Sequence, residues 1–294
     1  MSQSVSSEVG MPARRALSLA HLSLIACPPD QLVTIAADAG FDLVDLRLSP
    51  ATPTDRVYGD DERVQVCRAL LPLLRDTGLK VWDVEIIRIN ERMQPEAHLP
   101  LIEAAALLGA RRIKAVCNCD NTGVCISKLS RLAELAVPFG LTVDLEYMVF
   151  SSVKSLRAAL AIIKTAGLPN LQVLVDALHW MRAGDTVADL RAAPAGSIGY
   201  AQLCDGPRQG PAGHEALITE ARTRRLPPGE GGFPLRALLE AMPAGCPVSI
   251  EVPFPSGDFC EAEIAGPPGE EPLRHARRLL AAARRLTERQ EAAL

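Results

Sequence analysis

The chain has 294 residues, 48% hydrophobic and 22% charged, with a formal net charge of -4 and aromatic residues at only 4%. That length can bury a large core as one barrel or two smaller domains, while the acidic balance and scarce aromatics exclude a phosphate-backbone or base-stacking partner, so no nucleic acid is expected. No run approaches about 18 uncharged apolar residues and MSQSVSSEVGMPARR has no apolar signal core, so no membrane association and a cytoplasmic location are expected.

The polar start, residues 1–14, reads as a disordered tail, and residues 15–294 as one catalytic domain. From there, short apolar or β-branched runs alternate with longer segments of helical period. ALSLAHLSL (16–24) is the first strand, and its helix opens at Pro28, Pro29 and Asp30 and stops at Gly40. FDLVDLRL (41–48) is the second, followed by a loop with Pro50, Pro53 and Gly59 and a helix over 61–78 with Pro72 as a kink position. LKVWDVEIIRI (79–89) and the helix 95–110 make the third unit, RRIKAVCN (111–118) and the helix 126–140 the fourth. LTVDLEYM (141–148), LQVLVDAL (171–178), SIGYAQLC (197–204) and CPVSIEVPF (246–254) complete the strands, with helices at 152–166, 180–193, 233–242 and 271–290. Eight strand and helix pairs in one uninterrupted chain specify an α/β fold, a single (β/α)8 TIM barrel, ahead of an open doubly wound sheet. Residues 205–232, rich in Gly, Pro and Arg, form a candidate lid over the mouth.

There are eight cysteines. Cys27, Cys67, Cys117, Cys204 and Cys246 lie in or beside apolar segments of a chain without an export signal, so they are expected to be buried thiols. Cys117, Cys119 and Cys125 cluster without a second knuckle or nearby histidine, which argues against structural zinc.

The chemistry is expected where late strands end in oxygen-bearing side chains: Glu146, Asp176, Gln202 and Glu251. In a (β/α)8 barrel the strand ends converge on the C-terminal face, so these four can meet although they are distant in sequence. Three carboxylates crowded there need a compensating cation, and oxygen donors without cysteine favour a hard divalent ion, Mn²⁺ or Mg²⁺. His179, three residues beyond Asp176, is expected beside the substrate, and Arg208, in the loop QLCDGPR, within reach of substrate oxygens. On the early strands Arg47, Glu85, Arg88 and Lys114 either recognise an anionic or highly hydroxylated substrate or pair with one another inside the barrel.

These residues together resemble the xylose-isomerase-like sugar phosphate isomerase and epimerase superfamily, over about residues 16–285. The resemblance rests on Glu146, on the DALH segment giving Asp176 and His179, on QLCDGPR giving Gln202 and Arg208, on the PGEGGFPL turn at 228–235, and on Glu251 in SIEVP. It implies metal ligation by Glu146, Asp176, Gln202 and Glu251, with Co²⁺ or Zn²⁺ as further candidate ions. It also implies substrate contacts from His179 and Arg208, and acid and base roles for Glu146 and Glu251; Glu85 and Lys114, on early strands that depart from the family's plain apolar pocket, are further substrate-binding candidates. The chain departs from ketose 3-epimerases at Gln202, where those enzymes usually carry histidine, and a neutral oxygen donor there is more like some dehydratases. The expected activity is isomerisation or epimerisation of a sugar, sugar phosphate or hydroxy-ketone through an enediolate. The alternatives are a lyase dehydrating a cyclic polyhydroxy ketone of the 3-dehydroshikimate or inosose type, and a non-catalytic sugar-binding barrel. A repair endonuclease of the same barrel group would need many mouth histidines, and the chain has five histidines in all. The alanine-rich C-terminal helix reads first as an ordinary amphipathic outer helix, with a homodimer interface through it as the alternative.

Overall fold

The structure is a computed structural model that describes residues 14–51, 55–254 and 271–288. The expected N-terminal tail, Arg14 aside, and the last residues of the expected C-terminal helix lie outside the described residues.

Eight parallel strands close on themselves in sequence order: β1 (Leu17–Leu19), β2 (Leu43–Arg47), β3 (Lys80–Ile89), β4 (Arg112–Cys117), β5 (Thr142–Glu146), β6 (Leu171–Asp176), β7 (Ile198–Leu203) and β8 (Val248–Ile250). The ring is completed by β1 pairing with β8, Ser18 opposite Ser249. Parallel neighbours need a crossover, and helices supply it: α1 (Pro29–Ala39), α2 (Asp60–Thr77), α3 (Leu99–Leu107), α4 (Thr122–Ala136), α5 (Leu156–Ala166), α6 (Ala177–Ala183), α7 (Val187–Ala192), α8 (His214–Thr223), α9 (Leu235–Ala241) and α10 (Glu271–Thr287).

Local chemistry sets the helix ends. Pro29 begins α1, and Gly40, in the left-handed region at φ 92°, returns its N–H to the carbonyls of Ala36 and Ala37. Asn121 and Ser155 cap α4 and α5 with side-chain oxygens. The helix expected over 180–193 is two helices. Asp176 caps the chain so early that α6 starts at Ala177, Gly184 ends it, and a Thr186–Asp189 capping box starts α7. α2 runs through Pro72 as one helix.

β1 is shorter than expected. After Ala20 the chain enters a 3-10 turn at His21–Leu24, where the His21 ring bonds the Cys27 carbonyl at 3.0 Å and accepts the Arg47 N–H at 2.9 Å. The segment 205–232, expected as a loop, contains a helix, α8.

One apolar core packs the outer strand faces against the helices; Leu32, Ile102, Leu129, Ala159, Leu238 and Leu279 are buried in it. The barrel interior is polar. Alternate residues bring Ser18, Asp45, Asp83, Lys114, Asp144, Tyr200 and Ser249 to positions at most 1% exposed. Their groups bond to one another. The Ser18 hydroxyl donates to Asp45 at 2.6 Å, Ser249 also donates to Asp45, Tyr200 donates to Asp83, and Arg112 donates to both oxygens of Asp144 and to Gln172.

One cysteine expectation needs correction. Cys117 is not a thiol but is joined to Cys125, with Cα atoms 6.2 Å apart. The first turn of α4 folds back over the end of β4 and brings the two within bonding range, a proximity set by the loop and not by composition. Cys27, Cys67, Cys204 and Cys246 are buried thiols, as is Cys119.

Candidate active site

The site forms at the C-terminal rim of β5 to β8. Glu146 is the last residue of β5 and Asp176 the last of β6, with Asp176 opposite Gln202 of β7 in register. Gln202 is in turn opposite Ser249, and Glu251 follows β8 directly, its N–H bonded to the Leu203 carbonyl. The four side chains are all buried, at most 4% exposed.

Asp176 carries two structural duties at once. It ends a strand and caps a helix, its Oδ1 accepting the N–H groups of Leu178 at 2.7 Å and His179 at 3.1 Å. That cap fixes His179 on the first turn of α6, and ligand-type atoms of Glu146, Asp176 and His179 fall within 4.8 Å of one another. Phe150 packs edge-on against the His179 ring at 5.2 Å between centroids.

The charges at the mouth balance only in part. Arg225 donates from Nη1 to Asp176 Oδ2 at 2.6 Å and pairs through Nη2 with Glu251 Oε2 at 3.0 Å. Lys114 Nζ lies 2.8 Å from Glu85 and 3.3 Å from Glu251 Oε1. Arg47 Nη2 lies 3.3 Å from Glu85. Glu85, Asp176 and Glu251 are therefore each held by protein cations, whereas among the described residues no group donates a hydrogen bond to Glu146. Gln202 donates from Nε2 to Glu251 Oε1 at 3.3 Å, which turns its carbonyl the other way and leaves Oε1 buried without a donor. His179 Nδ1 is likewise buried without a partner.

The protonation behaviour follows from these contacts. Burial, with Glu251 and Asp176 as like charges, raises the Glu146 carboxyl to about 7 against the opposing pull of Lys114. Burial pushes Asp176 the same way, but Arg225 and His179 outweigh it and leave its carboxyl below the usual value. Glu85, also opposed by burial, is brought down to about 2 by Lys114 and Arg47. Burial lowers the His179 imidazole to about 4, so it is neutral at ordinary pH.

The sequence expectations meet this geometry unevenly. Glu146, Asp176, Gln202, Glu251 and His179 assemble at the mouth. Glu85 and Lys114 lie beside them, paired with each other and, through Glu85, with Arg47. Arg208 is exposed in the loop after β7, and its guanidinium has no hydrogen-bond or ion-pair partner among the described residues. The arginine that reaches the carboxylates is Arg225, which the sequence reading passed over among the neighbouring Arg222 and Arg224. The segment 205–232 is also anchored. Asp205 and Leu226 exchange backbone hydrogen bonds, the Asp205 side chain accepts from Gly206, Gly229 and Phe233, and Arg182 of α6 grips Glu220 of α8.

The donor set fits a divalent ion. Two carboxylates and an imidazole stand close enough to share one, and the donor-free Gln202 Oε1 is a hard oxygen in the same rim.

A closed eight-stranded parallel barrel with acidic and amide side chains gathered at its C-terminal rim defines a class of small-molecule-site barrels. The chain belongs to the xylose isomerase-like TIM barrel family, whose pattern it matches over residues 33–283. No curated protein sequence matches it. Among solved structures it resembles the IOLI protein with a bound zinc atom, at 15% identity and a TM-score of 0.71, covering 95% of this chain and 100% of that one. It also resembles D-psicose 3-epimerase with D-tagatose from Clostridium cellulolyticum H10, at 14% identity and a TM-score of 0.70, over 93% and 100% of the two chains. A third likeness is to the probable 3-DHS dehydratase AsbF of petrobactin synthesis from Bacillus anthracis, at 13% identity and a TM-score of 0.65, over 90% and 98%. At these identities the likeness speaks for the fold. No described helix is long and apolar enough to cross a membrane.

Proposed function

We propose that this protein is a divalent-metal-dependent enzyme that moves a proton at a carbon beside a carbonyl, as an isomerase or epimerase of a sugar, sugar phosphate or related hydroxy-ketone. The observation that carries the reading is the asymmetry of the rim: Asp176 and Glu251 accept from protein cations, while among the described residues no group donates a hydrogen bond to Glu146 and Gln202 Oε1 is buried without a donor.

Glu146, Asp176, Gln202 and Glu251 would hold the ion, with Mn²⁺ or Mg²⁺ favoured by the oxygen donors. When bound, the ion supplies Lewis-acid polarisation of a substrate carbonyl. Glu146, to which no group among the described residues donates a hydrogen bond, takes the proton from the adjacent carbon. The C–H electron pair becomes the new C=C bond, and the carbonyl oxygen takes the charge of an enediolate. Return of that proton to the former carbonyl carbon, while the neighbouring hydroxyl passes its own proton to the enediolate oxygen and becomes the new carbonyl, gives the isomer; delivery of a different proton to the first carbon from the opposite face, by Glu251 as acid, gives the epimer and leaves Glu146 to release its proton to solvent. The neutral His179 ring offers Nδ1 to a substrate hydroxyl, and Arg208, free at the edge of the mouth, offers its guanidinium to outer substrate oxygens. Lys114 and Glu85 fix Glu251 from the early-strand side.

A second reading is favoured by the ties on Glu251. Its Oε1 accepts from Lys114 and Gln202, and its Oε2 from Arg225, so Glu146 is the freer base. Single-base chemistry serves β-elimination equally well: the enediolate electrons expel a β-hydroxyl, which leaves as water after taking a proton, and an enone remains. That is a lyase acting on a cyclic polyhydroxy ketone.

Both readings are tested by incubating the Mn²⁺-loaded protein in D₂O with a panel of ketoses, inososes and hydroxylated cyclic ketones. Expected is deuterium uptake at the carbon beside the carbonyl, abolished by EDTA and restored by Mn²⁺, with a new ultraviolet band only if elimination follows. Ligand binding without exchange would leave a sugar-binding barrel and overturn the enzymatic reading.

A further inference from the structure

One cation of the chain itself, Arg225, bridges two carboxylates of the rim. Arg225 is 7% exposed, and its guanidinium is used on every side: Nε donates to the Ala221 carbonyl at 2.7 Å, Nη1 to Asp176, and Nη2 reaches Glu251. Nη1 also lies 3.5 Å from the Glu251 carbonyl and 3.6 Å from Cys204 Sγ.

Such contacts require a fixed backbone, and Arg225 has one. Leu226, its neighbour, is hydrogen-bonded in both directions to Asp205, and Ala221 belongs to α8, which Arg182 clamps through Glu220. A long side chain is thus delivered from a pinned loop into the space between two strand-end carboxylates, with burial that only ion pairing makes tolerable.

Asp176 and Glu251 are two of the residues assigned above to a divalent ion. A guanidinium bridging them and a dication bound to them repel each other in a desolvated rim where water screens little. Arg225 also holds both carboxylates in position, an effect that favours the ion. The repulsion acts between charges of +1 and +2 sharing the same two carboxylates, whereas the positioning is duplicated for Asp176 by the α6 cap and for Glu251 by Lys114 and Gln202. Competition therefore outweighs support.

We propose that Arg225 is a resident counter-cation of the mouth, bridging Asp176 and Glu251 and lowering the affinity of the site for a divalent ion by competing for those carboxylates. The inference rests on the proposed divalent-ion site, and it adds a residue that tunes the affinity without ligating. Without an ion, Arg225 bridges Asp176 and Glu251; with one bound, the guanidinium gives up at least one of its two bridges.

Mn²⁺ affinity, read from the electron paramagnetic resonance of the free ion, tests this in the full chain. R225Q should bind Mn²⁺ at least ten times more tightly than the wild-type protein, and R225K, which keeps the charge, should stay within about threefold of it, RT ln 3 being below 0.7 kcal/mol. In the wild-type protein, saturating Mg²⁺ should shift the Arg225 Nε–H resonance in a ¹⁵N arginine side-chain spectrum, a measurement that stands even where R225Q folds poorly. Equal or weaker Mn²⁺ binding by R225Q, or an unmoved Arg225 resonance in the Mg²⁺-bound protein, overturns the inference and leaves the functional reading intact. Mn²⁺ binding by neither protein overturns both.

Discussion

Two layers of the same barrel treat buried polar groups in opposite ways. In the lower interior, Asp45 takes both Ser18 and Ser249, and Asp144 takes Arg112 on both oxygens, so acids and donors largely consume one another. At the rim, Gln202 Oε1 and His179 Nδ1 are buried without a partner, and among the described residues no group donates a hydrogen bond to Glu146, although the packing there is just as tight. Buried polar groups left open cost stability. Their concentration at the C-terminal ends of the strands, where barrels of this kind carry their sites, marks the rim as the layer kept for a ligand and the lower interior as framework. Asp83 and Arg112 keep the division from being absolute, since Asp83 Oδ1 and Arg112 Nε, below the rim, are also buried without a partner.

The contrast makes the two layers separable by mutation. E146Q should lower deuterium exchange by roughly 10²–10⁴, the usual worth of a positioned acid or base, with a melting temperature equal to or above the wild type because an unpaired buried carboxylate is removed. A variant that lost stability and kept exchange would invert the assignment of the layers.

Below the rim the expectation reverses. R112M leaves Asp144 buried and unpaired and strips a cation from over the Trp82 and Tyr200 rings, 5.0 and 5.6 Å from their centroids. Urea unfolding should show a loss of about 3–5 kcal/mol, the scale for breaking a buried pair, while the folded fraction keeps its exchange rate.

Asp45 gives the lower layer a pH signature. Burial, only partly relieved by the Ser18 and Ser249 hydrogen bonds, raises its carboxyl from 3.8 to about 6. A folded-state value above the unfolded one means that the native protein binds this proton more tightly. The stabilisation is therefore complete below about pH 4 and lost as pH rises through 6, up to about 3 kcal/mol at 1.36 kcal/mol per unit. D45N should gain stability relative to wild type between pH 4 and pH 7, measured by chemical denaturation across that range; parallel curves would remove Asp45 as the cause.

The smallest effect is expected from the Cys117–Cys125 link, which closes a short loop with a sequence separation of 8. Reduction with dithiothreitol should cost about 2–3 kcal/mol by loop-closure entropy, seen as a modest fall in melting temperature with the other thiols unchanged.

How much of this the sequence disclosed depends on whether the signal was local. Eight strands and the rim positions of Glu146, Asp176, Gln202 and Glu251 were legible because strand alternation and strand ends are written in adjacent residues. The early start of α6 was written there too, in the Asp that caps it, but a period-based reading begins helices at their apolar face. Arg225 was not legible. Its place depends on Leu226 pairing with Asp205 and on α8 docking to Arg182, contacts between distant residues that no spacing reports. Likewise the pairing of Cys117 with Cys125 needed the turn of α4 over β4, whereas the pairing of Arg47, Glu85 and Lys114 was one of two readings their sequence positions left open, and three strands in register decide for it.

The central claim is that oxygens from separate strands converge on one dication at the rim. Anomalous diffraction from crystals soaked in Mn²⁺ tests it most directly. The account predicts one strong peak about 2.0–2.5 Å from oxygens of Glu146, Asp176, Gln202 and Glu251. Saturating Mn²⁺ with no peak among those four side chains, or a peak held elsewhere, would contradict it.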